Sequence, residues 1–178
     1  MSSNPSLYEL ERVFYAHVDQ VWQAWSRPEL ISRWYGPNVE TIIHKFDFRA
    51  GGVWLNEMSW LDKEGKPCSD FSKMAFIEIE KHAKIIWHHA SVDKDWKSFT
   101  NPMMPDWPRL LLTTFTFEEI TGVETPTTTS ATKVCLQQIP LDANDKENAC
   151  FANMIPHMNN GWNAGYKIID EILEELSP

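Results

Sequence analysis

The segment NNGWNAGY, Asn159 to Tyr166, lies inside the longest run of helical period in the chain and carries two glycines four residues apart. At that spacing Gly161 and Gly165 share one face of a helix, where each costs about 1 kcal/mol relative to alanine. Around them Met154, Met158, Trp162, Tyr166, Ile169, Leu173 and Leu176 recur at intervals of three and four. This is a continuous apolar stripe, with Asp170, Glu171, Glu174 and Glu175 mostly off it. Just upstream, NDKE (Asn144 to Glu147) has the form of a capping box with asparagine in the cap position. A long C-terminal helix is therefore expected, with Pro156 either kinking it or marking a fresh start. The glycines have two readings: they bring helix backbone against a partner surface, or they leave a cavity there. Both readings need a sheet that wraps around the helix.

The rest of the chain supplies strands. Tyr8 to His17 is rich in aromatic and branched residues and reads as an opening strand, followed by two short helical turns, VDQVWQAW and RPELISRW. Asp19 in the first turn and Pro28 at a first helical position support both starts. From Val39 onward the period changes. Val39 to Phe48 and Val53 to Leu61 form a hairpin across the turn RAGG (Arg49 to Gly52), and Asp62 to Pro67 makes another turn. FSKMAFIEIE with KIIWHHA, then RLLLTTFTFEEI with ATKVCLQQI, make two further pairs. The threonine-rich TGVETPTTTS between the last two is too polar to pack. The count is about seven strands, consistent with one meandering antiparallel sheet.

Composition narrows the function. The chain has 178 residues, 43% hydrophobic, which is enough to close one domain, 1–178, around a real core. A net charge of −9 without a local basic cluster argues against nucleic-acid partners. Cys68, Cys135 and Cys150 are odd in number and widely spaced, and no apolar leader follows Met1, so a reducing cytoplasm is the expected compartment. No apolar run approaches the roughly 20 residues of a spanning helix, so membrane insertion is not expected. Nine tryptophans stand out. Such an excess serves a large core, an aromatic-lined cavity or an interaction surface.

The stretch Arg12 to Pro37, with Val21-Trp22, Ala24-Trp25, Pro28-Glu29, Trp34 and Gly36-Pro37, carries a family pattern that continues in Phe48, Arg49, Gly51-Gly52, Trp54 and Gly161-Trp162. In order and spacing it resembles the START-like SRPBCC superfamily, specifically the branch related to the activator of the heat-shock-protein ATPase. The resemblance implies an α+β helix-grip fold of the birch-pollen-allergen kind. That fold is a curved seven-stranded antiparallel sheet wrapped around a long C-terminal helix, with two short helices after the first strand and a cavity between. The chain departs from the pattern at Tyr35, where a second tryptophan is common, at Ala50, where proline is usual, and in the long connection Ser91 to Arg109. That connection, with Met103, Met104 and Trp107 among three prolines, is either a stiff lid over the cavity mouth or a cover for one end of the core.

Signals for chemistry are sparse. The chain has no HExxH, no paired-cysteine metal spacing, no phosphate-cradling glycine loop and no GxSxG elbow, so no cofactor or metal site is expected. His88 and His89 are adjacent and on a strand face opposite sides. In WLNEMSWL, alternation sets Trp54, Asn56, Met58 and Trp60 on one face and Glu57 on the other. An inward Asn56 would need a partner, water or ligand.

The expected function is to hold a small hydrophobic or aromatic molecule between sheet and helix. The candidate lining is Trp34, Trp54, Asn56, Met58, Trp60 and Phe76, together with Trp87, Phe115, Met154, Met158 and Trp162. Two alternatives stay open: a chaperone-partner domain, which the resemblance allows, and a cavity enzyme of cyclase or hydrolase type using His44, Asn56 or His89. No triad or metal set supports the enzyme.

Overall fold

The computed structural model describes residues 6–125 and 128–177. The reading of the first residues, and of Pro126 and Thr127 within the threonine-rich connection, therefore lies outside the described residues. Tyr8–Phe14 forms β1, and Val18–Ser26 and Pro28–Trp34 form the short helices α1 and α2. Glu40–Phe46 (β2), Val53–Leu61 (β3), Pro67–Glu80 (β4), Lys84–Val92 (β5), Leu110–Thr121 (β6) and Ser130–Pro140 (β7) follow, and Asp145–Leu176 is the long helix α3. The strands make one antiparallel sheet in the order β1-β7-β6-β5-β4-β3-β2, the helix-grip arrangement expected from the sequence.

Local chemistry explains the elements. α1 is capped by His17, whose ring nitrogen accepts from the Asp19 N–H, and Pro28 opens α2. The β3–β4 turn is tighter than the sequence pattern predicts, because Asp62 accepts from the backbone N–H of Glu64 and Lys66 and Gly65 takes a φ of 77°. Pro67 is thereby already paired with Leu61 in the ladder. The register slips once at His44, between Ile43 and Lys45, and once at Ile77, between Phe76 and Glu78. Bulges of this kind bend strands and increase twist, which suits a sheet that must curve around a helix.

α3 begins at the expected capping box: Asn144 accepts from the N–H groups of Lys146 and Glu147, and the Glu147 carboxylate accepts from the Asn144 N–H at 2.8 Å. The helix runs through Pro156 as one element, so that proline is not a fresh start. Burial along the helix is uneven. Tyr166, Ile169, Ile172 and Leu173 are fully packed, whereas Met154, Met158 and Trp162 remain half-buried. The packed end is fixed by Arg12, which pairs with Asp170, and by Arg33, which donates to both carboxylate oxygens of Glu175 at 2.7 and 2.8 Å. Trp25 is the hub of the core, with Phe14, Trp34, Phe115, Phe117 and Tyr166 all within ring-packing distance. Trp34 meets its polar need by donating from Nε1 to the Ala24 carbonyl at 2.7 Å.

Candidate functional site

The half-buried end of α3 stands over a cavity. Its larger chamber, about 390 Å³, lies between α3, the turn after α2 and the inward faces of β3, β5, β6 and β7. Trp34, Trp107 and Trp162 supply its aromatic wall, and Met58 and Met158 its flexible apolar one. A second chamber of about 280 Å³ continues toward the far ends of β4 and β5 and shares Tyr35, Met58, His89 and Trp107 with the first. The larger volume falls within the roughly 300–1,000 Å³ of small-molecule sites.

The two helix glycines shape this space differently. A Cβ at Gly165 would meet the Trp34 carbonyl oxygen at 2.7 Å, so Gly165 lets α3 touch α2. A Cβ at Gly161 would meet nothing within 4 Å. Gly161 therefore borders open space, and the two readings of the sequence each apply to one glycine. At the chamber floor Gly36, with a φ of 79°, turns the chain after α2, and Met58 fills the place a side chain there would occupy.

Polar groups in the larger chamber are few. Gln138 is 3% exposed and donates to Thr113 Oγ1 at 3.0 Å. His89 keeps its Nδ1 sealed from solvent with no hydrogen-bond partner among the described residues, and burial lowers its pKa to about 4. The imidazole is therefore neutral at pH 7 and presents one donor and one acceptor. Tyr35 is buried, its ring 4.7 Å from that of Trp54 and 5.8 Å from that of Trp162, and burial drives its hydroxyl pKa upward. Near the second chamber, Asn56 is 0% exposed and both of its amide atoms lack a partner among the described residues.

The model of the family described as Activator of Hsp90 ATPase homolog 1-like protein matches residues 15–174. The chain belongs to this family. Three solved structures share the fold of this Hsp90-activator-like chain at low identity. A Mycobacterium smegmatis protein is 16% identical, with 96% of each chain covered and a TM-score of 0.70. A protein from Arthrobacter aurescens is 18% identical over 97% of this chain and 92% of its own, with a TM-score of 0.70. A Nitrosomonas europaea protein is 20% identical over 96% of both chains, with a TM-score of 0.62. No protein of curated function matches the chain significantly.

Within this family fold, the residues singled out from the sequence separate into three groups. Trp34, Met58, Met158 and Trp162 line the larger chamber, and Met58 and Met154 the smaller. Trp54, Phe76, Trp87 and Phe115 are packed into the core and reach the cavity only through other rings, Trp54 against Tyr35 and Phe115 against Trp162. Trp60 is 36% exposed beside the β3–β4 turn, where the strand has run past the core. Asn56 faces inward as alternation required, and Glu57 faces out, accepting from Ser69 and pairing with His44 at 2.7 Å. His44 thus sits on the outer face, apart from Asn56 and His89, and the three do not form one catalytic group. Cys135 is half-buried, and burial together with Glu9 and Glu11 raises its thiol pKa, the opposite of activation.

Several lining residues fall outside the set expected from the sequence. His89 follows Ile85 and Trp87 at alternate positions, and Gln138 follows Val134 and Leu136, so the strand period already aims both inward. Tyr35, Gly36 and Pro37 carry no such signal, because a turn has no period. Among the described residues no helix is long and apolar enough to cross a membrane.

Proposed function

We propose that the chain acts as one domain that binds a small hydrophobic, aromatic-compatible molecule in the cavity under the first half of α3. The observation carrying this reading is the 390 Å³ chamber, bordered by three tryptophans at a point where the helix presents Gly161 rather than a side chain. A helix glycine facing open space gives up stability that alanine would restore, so its value lies in the space it leaves. The few polar groups at the chamber, His89 and Gln138, supply orientation rather than bulk affinity, as in most small-molecule sites.

Titration of the protein with uncharged aromatic and sterol guests, followed by tryptophan fluorescence and thermal melting, tests the reading. Saturable quenching with a melting temperature that rises with guest concentration supports it, because a ligand of the folded state alone must stabilise that state. Gly161→Leu should abolish both signals while leaving the fold intact. Silence across the panel removes the reading. The family's name favours a second one, stimulation of a chaperone ATPase. A steady-state Hsp90 ATPase assay with the purified chain added decides that independently, and a rate unchanged at saturating chain removes it.

A further inference from the structure

We infer that the guest is an organic cation: a hydrophobic amine whose aromatic body occupies the larger chamber and whose ammonium group sits in the smaller one beside Asp70. This rests on the cavity reading above and adds the charge of the guest. Among the described residues no lysine or arginine lines either chamber, and Asp70 is the one lining residue that is charged at neutral pH. His89 is held neutral by burial and so offers no positive counter-charge. A carboxylate guest would lose its hydration without gaining a cationic partner, which is costly in a site this apolar.

The smaller chamber has the parts an ammonium group requires. Asp70 lies at its exposed edge and enters no ion pair among the described residues; lost hydration already pushes its carboxyl above the ordinary range. Ser72 is two residues further along β4 and therefore on the same face, and Ser91 is its partner across the ladder on β5. Their hydroxyls accept N–H donors. The rings of Tyr35, Phe99 and Trp107 border the same space, and aromatic faces attract cations electrostatically. A chain of net charge −9 also steers cations toward itself over distance.

Three guests with one indole body and one two-carbon arm test the inference: tryptamine, tryptophol and indole-3-propionate. Isothermal titration at low salt should give tryptamine the tightest binding, about tenfold over tryptophol, with the propionate weakest. Asp70→Asn should bring tryptamine to the level of tryptophol, whose own binding should change far less. Asp70 is exposed and enters no ion pair among the described residues, so the variant keeps the fold, which its melting temperature verifies. Tryptophol binding as tightly as tryptamine overturns the inference while leaving the cavity reading standing, as does an amine preference that survives Asp70→Asn. Propionate binding best overturns it as well. Failure of all three guests to bind overturns it too, and the uncharged panel then decides the cavity reading alone.

Discussion

The Cβ that Gly165 lacks would stand 2.7 Å from the main-chain oxygen of Trp34, whereas one turn earlier a Cβ at Gly161 would touch nothing within 4 Å. Alanine at the two positions should therefore have opposite effects. Gly161→Ala gains helix propensity without a clash and should stabilise the protein by up to about 1 kcal/mol. Gly165→Ala gains the same propensity but must push α3 away from α2, and overpacking of this kind costs about 1–3 kcal/mol. Urea denaturation of the two variants beside the wild type measures both signs. Equal shifts in one direction would mean that the close contact with Trp34 is absent.

His89 makes stability depend on acid. Its pKa is about 4 when folded, against an ordinary value of 6.5, so the unfolded chain binds the proton more readily. The stability of the neutral, buried ring is fully present above pH 6.5 and is lost as pH falls toward 4, about 3 kcal/mol at most. Asp70, exposed but partly stripped of hydration, acts in the opposite direction, since a raised carboxyl pKa loses stability as pH rises. Only a comparison of variants isolates the histidine. Unfolding free energies of the wild type and His89→Asn between pH 7 and pH 4 should converge as the solution is acidified. Parallel curves would show that the ring titrates normally.

The cap of α3 is legible in the four letters NDKE, and its worth is measurable. Asn144 accepts from Lys146 N at 2.9 Å and Glu147 N at 3.1 Å, satisfying two otherwise free donors at the helix start. Asn144→Ala should cost about 1 kcal/mol. Because the same helix end borders the smaller chamber through Met154 and backs the lining ring of Trp107 through Phe151, guest binding should weaken in parallel. A loss of stability in urea without a loss of affinity would show that the cap and the cavity are independent.

Periodicity made the fold legible and left much of the cavity hidden. The stripe from Met154 to Leu176, the capping box and the strand alternation each follow from a repeating geometry, and the structure keeps all three. The same alternation sorts inward from outward residues correctly at Asn56 and Glu57. It cannot say which inward residues meet open space, because Trp54 and Met58 share one face of β3 yet one is core and the other lining. That difference depends on where α3 and the turn at Tyr35 to Pro37 come to rest. Those placements are set by tertiary packing, such as Gly165 against Trp34, which has no local signature.

The connection from Asp93 to Arg109 gives the cavity an outer wall, and Trp107 is its residue that borders both chambers. The Trp107 ring lies 5.7 Å from that of Phe151 on α3 and borders both chambers, while Met104 and Phe99 from the same connection border the smaller one. Trp107 is half-buried at the margin, so its removal opens the chamber without taking a tryptophan from the core. Trp107→Ala should leave the chain folded, with a destabilisation well below the 3–5 kcal/mol of a core aromatic truncation. Guest dissociation should accelerate about tenfold or more with a smaller change in association, since wall contacts act mainly on the off-rate. Stopped-flow displacement of a fluorescent guest separates the two rates. An unchanged off-rate would make the connection a cover for the end of the core rather than a lid over the site.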